Sequence, residues 1–215
     1  MKVYILRHGE TELNTKGVMQ GSLDAPLNQN GRDLAAVTGR AMKGIHFDSC
    51  ITSPLCRAAE TAEIVLRESG NYVPVTVDRR LMELSCGDME GKPLSDLGDA
   101  GKIFFTDPFR FISFPNGETI RALCDRTQAF LKELIARDDG KTYLVSTHGC
   151  AMRAMVNYLN PNPQDFWFGH VPYNCSMTIL NAERGSVQIL ELNKVFYDLS
   201  LTEDPMKRYV HSSEN

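Results

Sequence analysis

The sequence predicts an α/β fold, a three-layer α/β/α sandwich around a mostly parallel central sheet, on three observations. Short runs of β-branched and aromatic residues alternate with segments of helical periodicity. Two of those runs, Val3-Tyr4-Ile5-Leu6 and Tyr143-Leu144-Val145-Ser146, are almost continuously apolar, as strands buried on both faces are. Each leads at once into a His-Gly pair, His8-Gly9 after Arg7 and His148-Gly149 after Thr147. Strand–helix alternation makes such a sheet parallel, and open parallel sheets bind ligands beyond the carboxyl ends of their strands.

The elements follow in order. After the first strand, residues 9 to 27 form a loop with several glycines, and Asn28 caps a helix that carries Leu34, Val37, Ala41 and Ile45 at helical spacing. Cys50-Ile51-Thr52 is a short strand. Ser53-Pro54 then opens a helix, with the Ser53 hydroxyl as cap and Pro54 in the first helical position. Leu55, Ala58, Ala59, Ala62, Val65 and Leu66 share one face of it. Val73, Val75 and Val77 alternate around Pro74, which places their strand at an edge or makes Pro74 its start. Residues 87 to 115 lose periodicity and hold Pro93, Pro108, Pro115 and five of the ten phenylalanines, so they read as a cap insertion packed by aromatics. A long amphipathic helix carries Ile120, Leu123, Cys124, Thr127, Leu131, Leu134 and Ile135. The second buried strand passes through His148-Gly149 into a helical segment ending at Leu159. Cys175 to Leu180 and Val187 to Leu192, joined by a turn at Glu183-Arg184-Gly185-Ser186, form an antiparallel edge hairpin that can pair across a homodimer. Residues 1–215 are expected to form one domain, with the cap at 87–115 inserted in it.

Composition narrows the function. A formal net charge of -4 disfavours nucleic acid and anionic membrane surfaces as partners, since both need a basic face. No run approaches a transmembrane length, and the apolar stretch near Met1 is too short for a signal-peptide core, so a cytoplasmic protein is expected. The six cysteines contain no Cys-x-x-Cys pair and read as free thiols. Neither they nor the five histidines are spaced for zinc, so no metal site is expected. The polar end, His211 to Asn215, is expected to fray.

The chemistry begins at the strand ends. His8 and His148 can meet at one sheet edge, and Arg57, one turn inside a helix whose N-terminus follows a third strand end, joins Arg7 there. Two guanidiniums, imidazoles and a helix N-terminus suit a phosphoryl oxyanion. The motifs around them run in a fixed order: Arg7-His8-Gly9-Glu10-Thr11 with Asn14 and Gln20-Gly21; Asp24-x-Pro26-Leu27 with Gly31; Ser53-Pro54-Leu55-x-Arg57-Ala58-x-x-Thr61-Ala62; Leu81-x-Glu83 with Gly87 and Glu90-Gly91; Gly117-Glu118-Thr119; Ser146-Thr147-His148-Gly149. In this set the chain resembles the histidine phosphatase superfamily, in the branch that includes cofactor-dependent phosphoglycerate mutases and related small phosphatases.

The resemblance implies that His8 is the nucleophile that forms a phosphohistidine, with Arg7, Arg57 and His148 around the phosphoryl group. It implies Glu83 as the acid that protonates the leaving oxygen and later takes a proton from water, and Asn14 and Gln20 as hydrogen-bonding partners of the phosphoryl oxygens. Gly149 completes the expected substrate-binding set. No metal or cofactor is expected, because the side chains themselves meet the developing charge. Glu10, Thr11, His46, His170 and His211 read as structural or solvated. Mutases of this family follow the acid with an Arg-His-Tyr-Gly type of segment and a longer basic insertion. Here Leu84-Ser85-Cys86-Gly87 follows, and residues 87 to 115 hold only Lys92, Lys102 and Arg110 as cations. The expected activity is hydrolysis of a small phosphomonoester with a partly apolar leaving group. A cofactor-dependent phosphoglycerate mutase is the alternative, and a noncatalytic phospholigand-binding module comes third.

Overall fold

A computed structural model describes residues 1–199, so the polar end lies outside the described residues. Six strands, β1 (Lys2–Arg7), β2 (Ser49–Thr52), β3 (Val75–Val77), β4 (Thr142–Thr147), β5 (Met177–Glu183) and β6 (Ser186–Lys194), form one sheet in the order β3-β2-β4-β1-β5-β6. The first four pair in parallel, and the β5–β6 hairpin runs antiparallel along β1. The helices are α1 (Glu12–Thr15), α2 (Gln29–Ala41), α3 (Cys56–Ser69), α4 (Gly98–Thr106), α5 (Ile120–Ile135) and α6 (Gly149–Val156). Among the described residues none is long and apolar enough to cross a membrane.

The period of two along each strand divides the core. Tyr4, Leu6, Cys50 and Leu144 face α2 and α3, while Val3, Ile5, Ile51, Tyr143 and Val145 face α5 and α6. Each fully buried Val, Ile or Leu contributes about 1.5–3 kcal/mol, which makes the two-sided central strands the chief stabilising element. In a third cluster Phe104, Phe111 and Phe114 pack with Leu97, Phe166 and Trp167.

Register places the strand ends. Arg7 pairs with Thr147 and Thr52 with Ser146, so the next residues, His8, His148 and Ser53, emerge side by side from β1, β4 and β2. The ladder reaches them: His8 N–H donates to Thr147 O at 3.0 Å and Ser53 N–H to Ser146 O at 3.0 Å.

Several elements differ from the sequence expectation. α3 starts at Cys56, with Leu55 and not Ser53 at the cap position, so Pro54 precedes the helix and Arg57 is its second residue. The cause is that Asp24 Oδ1, from the loop after β1, takes the Cys56 N–H at 2.7 Å, while Ser53 Oγ accepts from Leu55 N–H and turns to His148. Asn28 caps α2 as expected, accepting from Gly31 N–H at 2.8 Å. Its buried face, however, is Leu34, Ala35, Thr38 and Gly39, while Ala41 is exposed and Ile45 lies past the helix end. Small residues win that face because α3 lies close; a Cβ on Gly39 would sit 2.7 Å from that of Glu68. Residues 87–115 contain α4, hidden in the sequence by its two glycines, which are poor helix formers. β5 begins at Met177, because Cys175 turns the chain at φ 56°.

The first turn of α2 abuts the loop that follows His8. A Cβ on Gly31 would lie 2.1 Å from Glu10 O and 2.6 Å from Glu10 N, both backbone atoms. Gly31→Ala is expected to lower the unfolding free energy by about 1–3 kcal/mol, read as a reduced urea midpoint.

Candidate active site

His8 is buried, and its Nδ1 lies 2.6 Å from Gly9 O. A carbonyl only accepts, so Nδ1 carries the proton and Nε2 keeps its lone pair. The residue is held from three directions. Gly9 N–H donates to Thr61 Oγ1 at 2.9 Å, while His8 O accepts from Asn174 Nδ2 at 3.0 Å and Cys175 N–H at 3.2 Å. The His148 ring lies beside it, 5.2 Å between centroids, with its Nε2 2.8 Å from Ser53 Oγ.

The guanidiniums of Arg7 and Arg57 are buried and anchored by main-chain carbonyls. Arg7 Nη1 donates to Pro172 O; Arg57 Nη1 donates to Leu23 O at 2.6 Å and Nη2 to Gly21 O at 2.9 Å. Among the described residues neither has a carboxylate at ion-pair distance, and each Nε is buried without a partner. Burial, only partly countered by the charge of Glu83, pulls both arginines below their ordinary value. Burial first, then Arg57 and Arg7, pushes His8 well below the ordinary imidazole value of 6.5. His148 is pushed down likewise, by burial and then by Arg57, His8 and Arg7. Both imidazoles are therefore neutral at pH 7.

Glu83 faces the arginines across the cavity. Its Oε1 accepts from Leu84 N–H at 2.9 Å and Ala151 N–H at 3.0 Å, and its Oε2 from Cys150 N–H at 3.1 Å. Behind it Arg126 donates to the carbonyls of Arg80, Met82 and Glu83 while its fork grips Glu118 at 2.7 and 2.8 Å. The expected helix N-terminus thus offers less than the sequence suggested, since Asp24 takes the leading N–H of α3 and Glu83 those of α6.

These groups open on a cleft enclosing about 950 Å³, solvent at its mouth included. Arg7, His8, Asn14, Gln20, Arg57, Glu83 and Gly149 all line it, while His148 is not among the lining residues and lies fully buried beside His8. Thr11 braces two of them, donating through its hydroxyl to Gln20 Oε1 at 2.9 Å and through its N–H to Asn14 Oδ1 at 3.1 Å. The opposite wall is apolar and includes Met19, Leu94, Phe104, Phe105, Trp167 and Val171. Glu10 also reaches the cleft, its carboxylate holding Asn28 and Asn30. His46 is exposed and His170 bonds Asn193, while His211 lies outside the described residues. Among the described residues no cluster of three or more His, Cys, Asp or Glu is placed to hold a metal ion. Asn174, Trp167 and Val171 went unforeseen; they sit in an irregular loop, where the only sequence signal is the single tryptophan. The arrangement offers an unprotonated imidazole nitrogen, two cationic forks and a carboxylate around one point, which suits transfer of a phosphoryl group.

A sequence model described as the histidine phosphatase superfamily (branch 1) matches residues 3–195. The chain belongs to this superfamily. Across 209 residues this histidine phosphatase family member is 29% identical to a 2,3-bisphosphoglycerate-dependent phosphoglycerate mutase of Cytophaga hutchinsonii, covering 94% of this chain and 95% of the relative. It is 33% identical over 158 residues to the uncharacterized phosphatase PhoE of Bacillus subtilis, covering 74% and 77%. The solved structure of Bacillus stearothermophilus YhfR superposes with a TM-score of 0.82 at 30% identity, over 90% of this chain and 97% of that one. The fold is thus the histidine phosphatase fold, and the relatives of this superfamily member include both a phosphatase and a mutase.

The depressed imidazoles link stability to pH. Unfolded histidines take up protons as the pH falls through 6.5, whereas His8 and His148 resist protonation until lower pH while folded. The unfolded chain then binds more protons, so their contribution is complete above 6.5 and declines below it. Urea midpoints measured from about pH 7.5 to about 5.5 should fall with acidification, and less steeply in His148→Gln.

Proposed function

We propose that this chain is a phosphomonoester hydrolase that works through a phosphohistidine at His8 and prefers substrates with an apolar leaving group. One observation carries the reading: among the described residues the Arg and Lys side chains lining the cleft are Arg7, at the end of β1, and Arg57, in the first turn of α3, while the cap wall facing them is apolar. A bisphosphorylated cofactor needs cations for two separated anions. Among the described residues, this cleft lines only one end with them.

His8 Nε2 attacks phosphorus while Arg7 and Arg57 meet the charge on the equatorial oxygens; the ester P–O bond breaks and Glu83 gives its proton to the leaving oxygen. Water then attacks the phosphohistidine and yields a proton to Glu83, the P–N bond breaks, and inorganic phosphate leaves with His8 restored. Asn14 and Gln20 hydrogen-bond the phosphoryl oxygens from the loop that Thr11 braces.

His8→Ala should remove turnover of a chromogenic phosphomonoester, and Glu83→Gln should slow it about 10²–10⁴-fold, with circular dichroism unchanged in both. Wild-type activity in His8→Ala would sink the mechanism. A substrate panel decides the acceptor and leaving group: kcat/KM should be higher for 1-naphthyl phosphate than for 3-phosphoglycerate. Rapid interconversion of 2- and 3-phosphoglycerate, stimulated by 2,3-bisphosphoglycerate with negligible phosphate release, would make the chain a mutase instead.

A further inference from the structure

Ser53 looked like a helix cap in the sequence, yet the hydroxyl lies elsewhere. Its Oγ accepts from Leu55 N–H at 3.3 Å and lies 2.8 Å from His148 Nε2. Both residues are fully buried, so solvent cannot complete their hydrogen bonding. The His148 Nδ1 atom is buried and has no partner among the described residues.

Two proton arrangements fit these distances, and they differ in what they leave unpaired. If His148 Nε2–H donates to Ser53 Oγ, the hydroxyl already accepting from Leu55 has no acceptor for its own proton. Nδ1 would then carry a buried lone pair without a donor. If instead the Ser53 O–H donates to Nε2, the hydroxyl both donates and accepts, the Nε2 lone pair is used, and the one donor left over is an Nδ1–H. Unsatisfied buried polar groups are costly, so the second arrangement wins. It also suits a ring whose centroid lies 5.2 Å from that of His8, because a phosphoryl oxygen carried there can accept from an N–H and is repelled by a nitrogen lone pair.

We propose that Ser53 is a positioning residue that fixes His148 as the neutral Nδ1–H tautomer and so makes it a hydrogen-bond donor to the phosphoryl group at His8. The two neighbouring imidazoles then carry the same tautomer and do opposite work. His8 has Nδ1–H on Gly9 O and presents the lone pair of Nε2; His148 has Nε2 occupied by Ser53 and presents Nδ1–H. The sheet register supplies the arrangement, since Ser53, His148 and His8 each follow directly on the strand pairs Thr52–Ser146 and Arg7–Thr147. The inference rests on the phosphoryl-binding reading of the cleft, without depending on whether the final acceptor is water.

Two-bond proton–nitrogen correlation spectra of the ¹⁵N-histidine-labelled full chain test it, with His148 assigned by its loss in His148→Gln. The expected wild-type pattern is a protonated Nδ1 and an unprotonated Nε2, with the Nδ1–H signal moving as inorganic phosphate is titrated in. In Ser53→Ala the pattern should change toward the Nε2–H or a mixed tautomer, and phosphate should bind about tenfold more weakly, the equivalent of one hydrogen bond. A wild-type His148 protonated at Nε2 overturns the proposal whether or not the variant folds. So does an Nδ1–H signal indifferent to saturating phosphate. Absence of turnover on every phosphomonoester would instead defeat the hydrolase reading and leave this spectrum as it stands.

Discussion

Two guanidiniums, buried with no carboxylate partner among the described residues, are the constraint around which the strand ends are built. Removing an arginine from water costs several kcal/mol, and main-chain carbonyls repay only part of it. Arg7 and Arg57 nevertheless stay charged, held by Pro172, Gly21 and Leu23, with each Nε left over. The loops that provide those carbonyls are thereby tied to the site. Arg126 shows the contrast: its fork is closed on Glu118, so it is a strut, whereas Arg7 and Arg57 retain capacity for an incoming anion. In the proposed reaction an electropositive site of this kind has no reorganisation to undergo when charge develops.

The same constraint sets the protonation of the imidazoles. Beside two fixed cations and away from water, neither His8 nor His148 holds a proton readily, and a neutral nitrogen is what a nucleophile requires. The geometry that brings them together belongs to the sheet and not to the loops. β1 and β4 run in parallel and in register, so equivalent residues leave both strands at the same height. Rigid neighbouring strands hold such a pair more closely than mobile segments can.

Much of this was legible in the sequence, for definite reasons. β1 and β4 announce themselves because a strand covered on both faces has no polar interruption, and the histidines at their ends fall where parallel sheets bind ligands. Arg57 and Glu83 are ordinary surface-type residues until the ordered motifs around them are taken together. What stayed hidden lacks periodicity or depends on direction. The buried face of α2 was misplaced because glycine and threonine, not large apolar residues, pack against α3. α4 has two glycines in nine residues and is held by Phe104. Asn174 and Trp167 occupy an irregular loop. Ser53 shows the limit most clearly, since a serine before a helix is read as a cap and only coordinates reveal where its hydroxyl turns.

The placement of β1 bears on how the chain is made. It lies near the amino end, yet the strands that flank it, β4 and β5, come from residues 142–147 and 177–183. During synthesis a run of five buried residues, Val3 to Arg7, is therefore complete long before either of its edges has a partner. Unpaired apolar strands are aggregation hazards, and pairings this distant in sequence form slowly. A nascent chain stalled before β5 leaves one whole edge of the strand that carries His8 unpaired, open to other chains until the closing hairpin emerges.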